Sequence, residues 1–513
     1  MLSRRRFLQV SGLFSLSLLG AGCSMASKKP KPARPNIILI LADDLGWSDI
    51  GCYGSEIATP NLDKLAEGGI RFRQFHNTAK CMPSRACLLT GVYAQQCGMM
   101  KPAKIINAVT LGEVLKPAGY RTLAVGKHHS TENLHERGFD RYYGLRDGCC
   151  NYFNPGKQRP GEGKPAQKRP DRAWCIEDQT FEPYTPKDKD FYTTDYFTKY
   201  AVKYLDDYKD EQKPFFMYVA YTAPHDPLMA WPEDIAKYED TYNVGYEKIR
   251  AARYNKQLKL GLVDEKHYPL SEPTHKPWDS LSDKEKTEQS RTMAVYAAMI
   301  DRMDQGIGKI IDKLKAIGKA DSTLIMFAAD NGASAEMVRI GGTGEIGSMT
   351  RWTSLGSDWA NIGNTPLRYF KNYSYQGGIC TPLIANFPGV TKAGSFCDFP
   401  GHFIDFMPTI MELTGAKYPA TFDGSVITPL QGESFADAIK GKQIKRTKPI
   451  FWQWSKGKAV RQGKWKLVKW ANEDWNLFNM DEDKSEIHNL ANKMPEKARE
   501  MQALYEDWVK SLI

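Results

Sequence analysis

The stretch Asn36-Ile37-Ile38-Leu39-Ile40-Leu41-Ala42, followed at once by Asp43 and Asp44, decides the fold. Because no polar side chain occurs after Asn36, the stretch predicts a strand that is buried on both faces, which is typical of a parallel sheet covered by helices. Ligands of open α/β sheets bind outside the carboxyl ends of the strands. The sequence therefore predicts a ligand site beside Asp43 and Asp44.

The same arrangement of an apolar strand followed by polar residues recurs along the chain. Apolar runs predict further strands at 121–126, 214–220 and 323–329. The polar residues that follow these strands are Lys127 and His129, then His225, then Asp330 and Asn331. Helical stretches at 61–67 and 283–317 complete a β-α alternation. We predict an α/β fold with a large mixed, mostly parallel sheet flanked by helices.

The chain beyond residue 420 has a different pattern. Short apolar runs predict antiparallel strands, and a final helix follows; the ranges are 449–454, 457–461, 464–470, 475–478 and 495–512. We predict a main domain over residues 35–420 and a smaller C-terminal antiparallel-sheet subdomain over residues 421–513.

The N-terminus predicts export. Residues 1–22 contain Ser3-Arg4-Arg5-Arg6-Phe7-Leu8-Gln9 and an apolar stretch too short to span a bilayer, which resembles a twin-arginine signal peptide. Leu19-Gly20-Ala21-Gly22-Cys23 is similar to a bacterial lipoprotein cleavage site, with Cys23 as the lipidated residue. Residues 23–34 predict a stiff, Lys- and Pro-rich tether.

We therefore expect an exported protein that is periplasmic or anchored in the outer membrane as a lipoprotein. Attachment to the membrane depends on lipidation of Cys23, and the alternative is ordinary cleavage near Ala21 or Ala26 with release into the periplasm.

Composition excludes several classes of protein. The formal net charge of +10 favours anionic ligands, but Lys and Arg never form a run of five, so no nucleic-acid partner is predicted. No later apolar stretch is long enough for a membrane bundle. Cys149, Cys150 and Cys175 could form a disulfide in an oxidising compartment, and buried free thiols are an equally good interpretation.

Asp43, Asp44, Asp330 and Asn331 together predict a metal site. Either polar pair alone is more often a turn after a strand, but three carboxylates and one amide form an all-oxygen set, which suits Ca²⁺ better than zinc. Mg²⁺ is the alternative, although it usually keeps more water.

The segment Cys81-Met82-Pro83-Ser84-Arg85 resembles the C-x-P-S-R motif of the type I sulfatases. Other blocks match that family in the same order, namely Thr59-Pro60-Asn61-Leu62-Asp63, Gly126-Lys127-His128-His129, Ala223-Pro224-His225-Asp226-Pro227, Ala329-Asp330-Asn331-Gly332 and Lys371-Asn372-Tyr373-Ser374-Tyr375-Gln376-Gly377-Gly378. The likeness runs from Pro35 to the C-terminus and is greatest to the bacterial arylsulfatase-like branch. It implies an alkaline-phosphatase/sulfatase-like fold whose main domain is catalytic.

The resemblance also implies cofactors. A separate maturation enzyme would oxidise Cys81 to formylglycine, and one Ca²⁺ per chain would be held by the oxygen set together with the side chain at position 81. One hydroxyl of the hydrated aldehyde would attack sulfur, and the other would release sulfate.

The remaining roles implied by the family concern charge and protons. Arg85, Lys127 and Lys371 would stabilise the sulfuryl oxygens. His129 would accept a proton, and His225 and Lys371 are the candidate donors to the leaving oxygen. Ser84 is predicted to open a helix whose amides favour an anion.

The implied function is hydrolysis of sulfuric esters, either aryl sulfates or sulfated sugars. A phosphonate or phosphate ester hydrolase of the same superfold is one alternative, which the single all-oxygen cation site disfavours. A lipoprotein that binds sulfated glycan without cleaving it is the other, should Cys81 stay unmodified. Residues 145–190 and 230–290 are predicted to shape the pocket mouth.

Overall fold

The computed structural model describes residues 34–169 and 171–512. The predicted signal peptide, the lipidation site Cys23 and the tether up to residue 33 lie outside these residues. None of the helices in these ranges is long and apolar enough to cross a membrane. The nine cysteines in the same ranges, which include Cys149, Cys150 and Cys175, are free thiols.

The chain from Pro35 onward forms one compact unit around a mixed sheet. Within the described residues the sheet has eleven strands: β1 (Asn36–Asp43), β2 (Ile70–His76), β3 (Arg121–Gly126), β4 (Arg141–Leu145), β5 (Trp174–Ile176), β6 (Gln179–Phe181), β7 (Phe215–Pro224), β8 (Thr323–Ala329), β9 (Cys380–Asn386), β10 (Ser395–Cys397) and β11 (Gly401–His402). Their order is β10-β2-β9-β8-β1-β7-β3-β4-β5-β6, and β11 pairs with β2. The adjacent strands β8, β1, β7, β3 and β4 are parallel. The polar residues that follow them therefore meet at one edge, and the predicted fold class is confirmed.

Helices cover both faces of the sheet. The α-helices of the described residues are α1 (Pro60–Glu67), α2 (Cys81–Thr90), α3 (Leu111–Leu115), α4 (Thr193–Asp207), α5 (Pro232–Ala236), α6 (Tyr246–Lys259), α7 (Asp283–Ala316), α8 (Ser357–Gly363), α9 (Gln376–Ile379), α10 (Phe406–Thr414), α11 (Ala436–Ile439) and α12 (Pro495–Lys510). Along β1, Ile38 and Ile40 join the core that contains residues of α4 and α7, whereas Ile37 and Leu39 join the core that contains residues of α2 and α10. The apolar run is thus explained by burial on both faces.

Helix α2 carries the sulfatase-like motif and is buried along its whole length. The prediction that Ser84 opens this helix is wrong, because the helix begins at Cys81 with Lys80 as its N-cap. It ends at Thr90 and is capped by Gly91, where φ is 75° and an added Cβ would lie 2.7 Å from the Met407 Cβ. The helix therefore places Cys81 in its first turn and Arg85 one turn further on the same face.

The C-terminal part contains the predicted antiparallel sheet. A short hairpin, β12 (Thr421–Phe422) and β13 (Ser425–Val426), precedes four antiparallel strands, β14 (Ile450–Trp454), β15 (Gly457–Gln462), β16 (Trp465–Trp470) and β17 (Asn476–Asn479). The domain boundary predicted at residue 420 directly precedes the hairpin and stays a prediction.

A buried ion pair joins this C-terminal sheet to the loop after Lys371. Lys466 Nζ, on β16, lies 2.5 Å from Glu486 Oε1 and donates to the Ser374 carbonyl at 2.9 Å. Glu486 Oε2 accepts a hydrogen bond from the backbone N–H of Gln376 at 2.6 Å. Both charged side chains are fully buried. The sheet therefore holds the segment that carries Lys371.

Glu486→Gln should destabilise the protein, because it leaves the Lys466 ammonium buried without its carboxylate. Removing one partner of a buried pair typically costs about 3–5 kcal/mol. Glu500→Gln, which removes the exposed partner of Lys497, is the matched control and should have little effect. Urea denaturation of the three proteins would measure the difference. Equal midpoints for the two variants would contradict the prediction.

Candidate active site

Four oxygen-bearing residues meet where β1 and β8 end. Carboxylate oxygens of Asp43, Asp44 and Asp330 lie within 4.8 Å of one another, and all three residues are buried. Asn331 Nδ2 donates to Asp44 Oδ1 at 2.7 Å. Two buried oxygens in this cluster, Asp43 Oδ1 and Asn331 Oδ1, have no hydrogen-bond partner among the described residues. Free buried oxygens of this kind fit a hard cation, so the residues suit the predicted Ca²⁺.

Each carboxylate of the cluster also faces a fixed cation. Lys127 Nζ lies 2.5 Å from Asp43 Oδ2, and Lys371 Nζ lies 2.8 Å from Asp44 Oδ2. Arg85 Nε donates to Asp330 Oδ2 at 2.9 Å. The strand ends thus bring acids and cations together in a small buried volume. A bound cation would add positive charge to this balanced cluster, and the site would then attract an anionic ester.

Cys81 and Arg85 reach this cluster from helix α2. Arg85 Nη1 donates to the Lys127 carbonyl at 2.8 Å, which fixes the guanidinium beside the strand ends. The Cys81 Sγ, an Asp43 oxygen and a His225 ring nitrogen lie within 4.8 Å of one another. Burial alone would raise the pKa of the Cys81 thiol, but Lys127 and Lys371 lower it.

His225 is placed to give up a proton. Its Nδ1 lies 2.6 Å from the Asp226 carbonyl oxygen, and its Nε2 lies 3.5 Å from Asp44 Oδ2. Burial lowers the pKa of His225, but the charges of Asp44 and Asp43 outweigh that effect and raise it to about 10. Without a bound ion the imidazole is therefore a cation at neutral pH, and a group must be protonated to act as the donor to a leaving oxygen.

His129 has the opposite electrostatic setting. Loss of hydration and the charges of Lys127 and Arg85 hold the pKa of His129 well below its ordinary value, so the ring is neutral. Its Nδ1 has no hydrogen-bond partner within the described part of the chain. The φ of His129 is 64° and that of Asp44 is 62°, so both lie in the left-handed region. Such backbone strain is concentrated at functional sites.

Lys371 lies between two carboxylates, because Glu336 Oε2 approaches its Nζ at 2.9 Å in addition to Asp44. Burial favours the neutral amine, but the two carboxylates raise the pKa of Lys371 well above its ordinary value. Lys371 is therefore a firmly held cation, which fits charge stabilisation better than proton donation.

Three neighbours of the site were missed by the sequence reasoning: Asp226, Glu336 and Lys80. Adjacency to His225 could have indicated Asp226. No motif indicates the pairing of Glu336 with Lys80 and Lys371, because it depends on the path of an irregular segment.

A cavity of about 560 Å³ opens onto Cys81, His129 and His225. Its wall includes residues 146–149 together with Lys168, Arg169 and Arg172, as predicted for the segment 145–190. No described residue of the segment 230–290 lines the cavity, so that part of the prediction is wrong.

Polar groups for a cation and an anion lie at the carboxyl ends of parallel strands, which is where α/β folds bind their ligands, in a sheet of the alkaline-phosphatase/sulfatase-like type. The chain belongs to the sulfatase family, because the family model described as "Sulfatase" matches residues 35–416. A second model, "N-sulphoglucosamine sulphohydrolase, C-terminal", matches residues 367–511. The prediction of a sulfatase-type hydrolase is confirmed.

Individual relatives agree with the family. The chain is 31% identical to an arylsulfatase of Klebsiella aerogenes, covering 84% of this chain and 97% of that protein. It is 32% identical to an uncharacterised sulfatase of Schizosaccharomyces pombe, covering 93% of each. The crystal structure of Ps i-CgsB is similar with a TM-score of 0.69 at 28% identity, covering 93% of this chain and 92% of that one.

A phosphonate monoester hydrolase of Agrobacterium radiobacter has a TM-score of 0.59 at 18% identity and covers 93% of this chain and 95% of that one, which shows a shared fold alone. This likeness therefore does not support phosphonate hydrolysis by this chain.

Proposed function

We propose that the protein hydrolyses sulfuric esters of phenols or sugars, using a formylglycine made from Cys81 by a maturation enzyme and one Ca²⁺. The position of Cys81 carries this proposal. Its side chain opens onto the cavity and lies beside both the acidic cluster and His225. A cysteine with only a packing role needs no charged groups around it, whereas Lys127, Lys371 and His225 all lie near Cys81.

The residues of the chain divide the chemistry among them. Asp43, Asp44, Asp330 and Asn331 would hold the ion, which supplies Lewis-acid polarisation when bound. The hydrated aldehyde at position 81 would offer one hydroxyl for attack on sulfur and a second for release of sulfate. The other side chains bind the ester and move its protons.

Fixed cations and two histidines do this binding and proton transfer. Arg85, Lys127 and Lys371 neutralise the sulfuryl oxygens without moving, because their carboxylate partners already hold them. The protonated His225 donates to the leaving oxygen, and the neutral His129 accepts a proton from the position-81 side chain.

Relatives support both substrate classes. A Bacteroides thetaiotaomicron relative at 26% identity is named N-acetylglucosamine-6-O-sulfatase, and the Klebsiella aerogenes relative is named arylsulfatase. The structure of Ps i-CgsB has been solved with k-i-k-neocarrahexaose. A cavity of about 560 Å³ is within the range of small-molecule sites.

Mass spectrometry of the Cys81 peptide, with turnover of 4-nitrophenyl sulfate and of a matched aryl phosphonate, tests the proposal. Formylglycine and faster sulfate cleavage are expected. An unmodified thiol in a protein that binds sulfated glycan without turnover would indicate the binding lipoprotein. Faster phosphonate cleavage would indicate the other hydrolase, and full sulfate cleavage with an unmodified thiol would contradict the mechanism.

His225→Ala should lower turnover of an alkyl sulfate, such as a sugar sulfate, far more than turnover of an aryl sulfate. Phenols leave without protonation, whereas loss of a general acid typically costs an alkyl ester about 10²–10⁴-fold. Steady-state kinetics on both substrates would measure the two losses. His267→Ala, which removes an imidazole outside the cavity lining, is the control and should leave both rates unchanged. Equal losses in His225→Ala would indicate a role in binding instead.

We also propose that the protein is exported and anchored through lipidated Cys23. The Arg-rich start and the residues before Cys23 support this proposal. Labelled acyl chains should be incorporated by the natural chain and not by Cys23→Ala. Incorporation that persists in that variant would contradict the anchor.

A further inference from the structure

Arg172 is a buried cation in the wall of the cavity that opens onto Cys81. The residue is only 5% exposed. Its Nη2 contacts the Cys149 Sγ at 3.5 Å, and its Nε is buried without a hydrogen-bond partner. No carboxylate within the described ranges lies within 4.0 Å of this guanidinium, whereas buried charges in proteins are normally paired.

The topology places Arg172 at the same sheet edge as the active site. Strand β5 is antiparallel to β4, and Leu145 pairs with Trp174. The residues just after β4 and just before β5 therefore lie side by side at the carboxyl end of β4, and the Arg146 amide donates to the Ala173 carbonyl at 3.0 Å. Arg146 and Arg172 both line the cavity.

The acids of the cavity are already engaged by other cations. Glu182 lies 3.1 Å from Arg146, and Asp147 lies 3.5 Å from Arg169. Glu336 pairs with Lys80 and Lys371, and Asp226 contacts His225. Within the described lining, Arg172 and the exposed Lys168 are left without a carboxylate. The part of the wall that contains Lys168 and Arg172 thus has surplus positive charge.

We propose that Arg172 is the centre of a second anion site, so that the substrate carries another anionic group besides the sulfate that is cleaved. The second group is a sulfate or a carboxylate, since a guanidinium offers both of them the same pair of parallel N–H donors. This inference rests on the proposed function, because the cavity is shared. It narrows the substrate class to esters with two or more negative charges.

Competition against 4-nitrophenyl sulfate measures the second site directly. The probes are N-acetylglucosamine 6-O-sulfate, glucosamine 2-N,6-O-disulfate and a disaccharide of glucuronate with N-acetylglucosamine 6-O-sulfate. The wild-type protein should bind at least one doubly charged probe about tenfold or more tightly than the singly charged one, because a charge-assisted hydrogen bond contributes on that scale. The disulfate and uronate probes distinguish the two sources of the second charge.

Arg172→Gln should reduce that preference about tenfold or more, and Arg172→Lys should keep part of it. Arg499→Gln, which removes an exposed arginine of helix α12, is the matched control and should keep the whole preference. The wild-type preference should also decline as salt is raised, because salt screens an interaction between charges. That measurement needs no variant, so it holds even where Arg172→Gln fails to fold.

Equal binding of the single and double anions by the wild-type protein would overturn the second site. So would a preference that is unchanged in a folded Arg172→Gln variant. Either result, obtained with an enzyme that cleaves 4-nitrophenyl sulfate, would leave the proposed sulfatase function intact. Absence of 4-nitrophenyl sulfate and sugar sulfate cleavage by formylglycine-containing protein would instead contradict that function.

Discussion

Cys81→Ser is expected to release one equivalent of phenol from an aryl sulfate and then to stop. A serine hydroxyl in the same place, beside Lys127 and Lys371, can attack sulfur and expel the phenol. It then holds a stable sulfate ester, because no second hydroxyl is present on the same carbon to re-form a carbonyl and eject sulfate. Intact mass spectrometry should show the added mass of one sulfuryl group, with the phenol burst measured by absorbance.

Two variants control for this result. Cys87→Ser makes the same chemical change at a buried cysteine of the same helix, away from the cavity lining, and should keep steady-state turnover. Cys81→Ala offers no hydroxyl and should show neither burst nor added mass. Normal turnover in Cys81→Ser, or sulfation of Cys81→Ala, would contradict the two-hydroxyl mechanism.

The parts of the site that follow strand ends could be predicted because their position depends on topology alone. Once β1 and β8 are recognised as buried parallel strands, Asp43, Asp44 and Asp330 must share an edge. The helix start was wrong for a local reason. The predicted start at Ser84 is three residues too late. Pro83 is the third residue of α2, and it fits in the first turn because the N–H that it lacks would have no partner within the helix there.

Loop contacts were less predictable, because they depend on tertiary packing. The segment 230–290 was expected at the pocket mouth on composition, yet its aromatic residues pack inward. Tyr246 makes edge-to-face contacts with Trp278 and with Trp359 of helix α8. Aromatic residues that are exposed at a pocket mouth cannot be distinguished by composition from aromatic residues that are buried in a core. Arg172 is left without a carboxylate because Arg146 pairs with Glu182 and Arg169 pairs with Asp147. These pairings depend on the folded loops and are not visible in the sequence.

Removal of metal ions is expected to reduce turnover strongly and to lower the thermal midpoint, with Ca²⁺ restoring both. Loss of a Lewis acid that contributes several kcal/mol would slow the reaction by about 10³-fold. The midpoint should fall because Asp43 Oδ1 and Asn331 Oδ1 are buried oxygens with no other partner among the described residues. Mg²⁺ should restore less than Ca²⁺, since these side chains offer an all-oxygen set that the larger ion can bind with fewer waters.

Two carboxylate variants distinguish loss of ion binding from a general loss of stability. Asp44→Asn removes a charge of the cluster and should lose most of the Ca²⁺-dependent rise in thermal midpoint. Asp405→Asn removes an equally buried carboxylate that faces Arg446 away from the site, so it should lower the midpoint yet keep the Ca²⁺-dependent rise. Full turnover in protein shown by elemental analysis to be metal-free would contradict the metal site, as would equal Ca²⁺ responses in the two variants. Because the midpoint is measured without substrate, it reports on the ion even in a preparation whose Cys81 has not been converted.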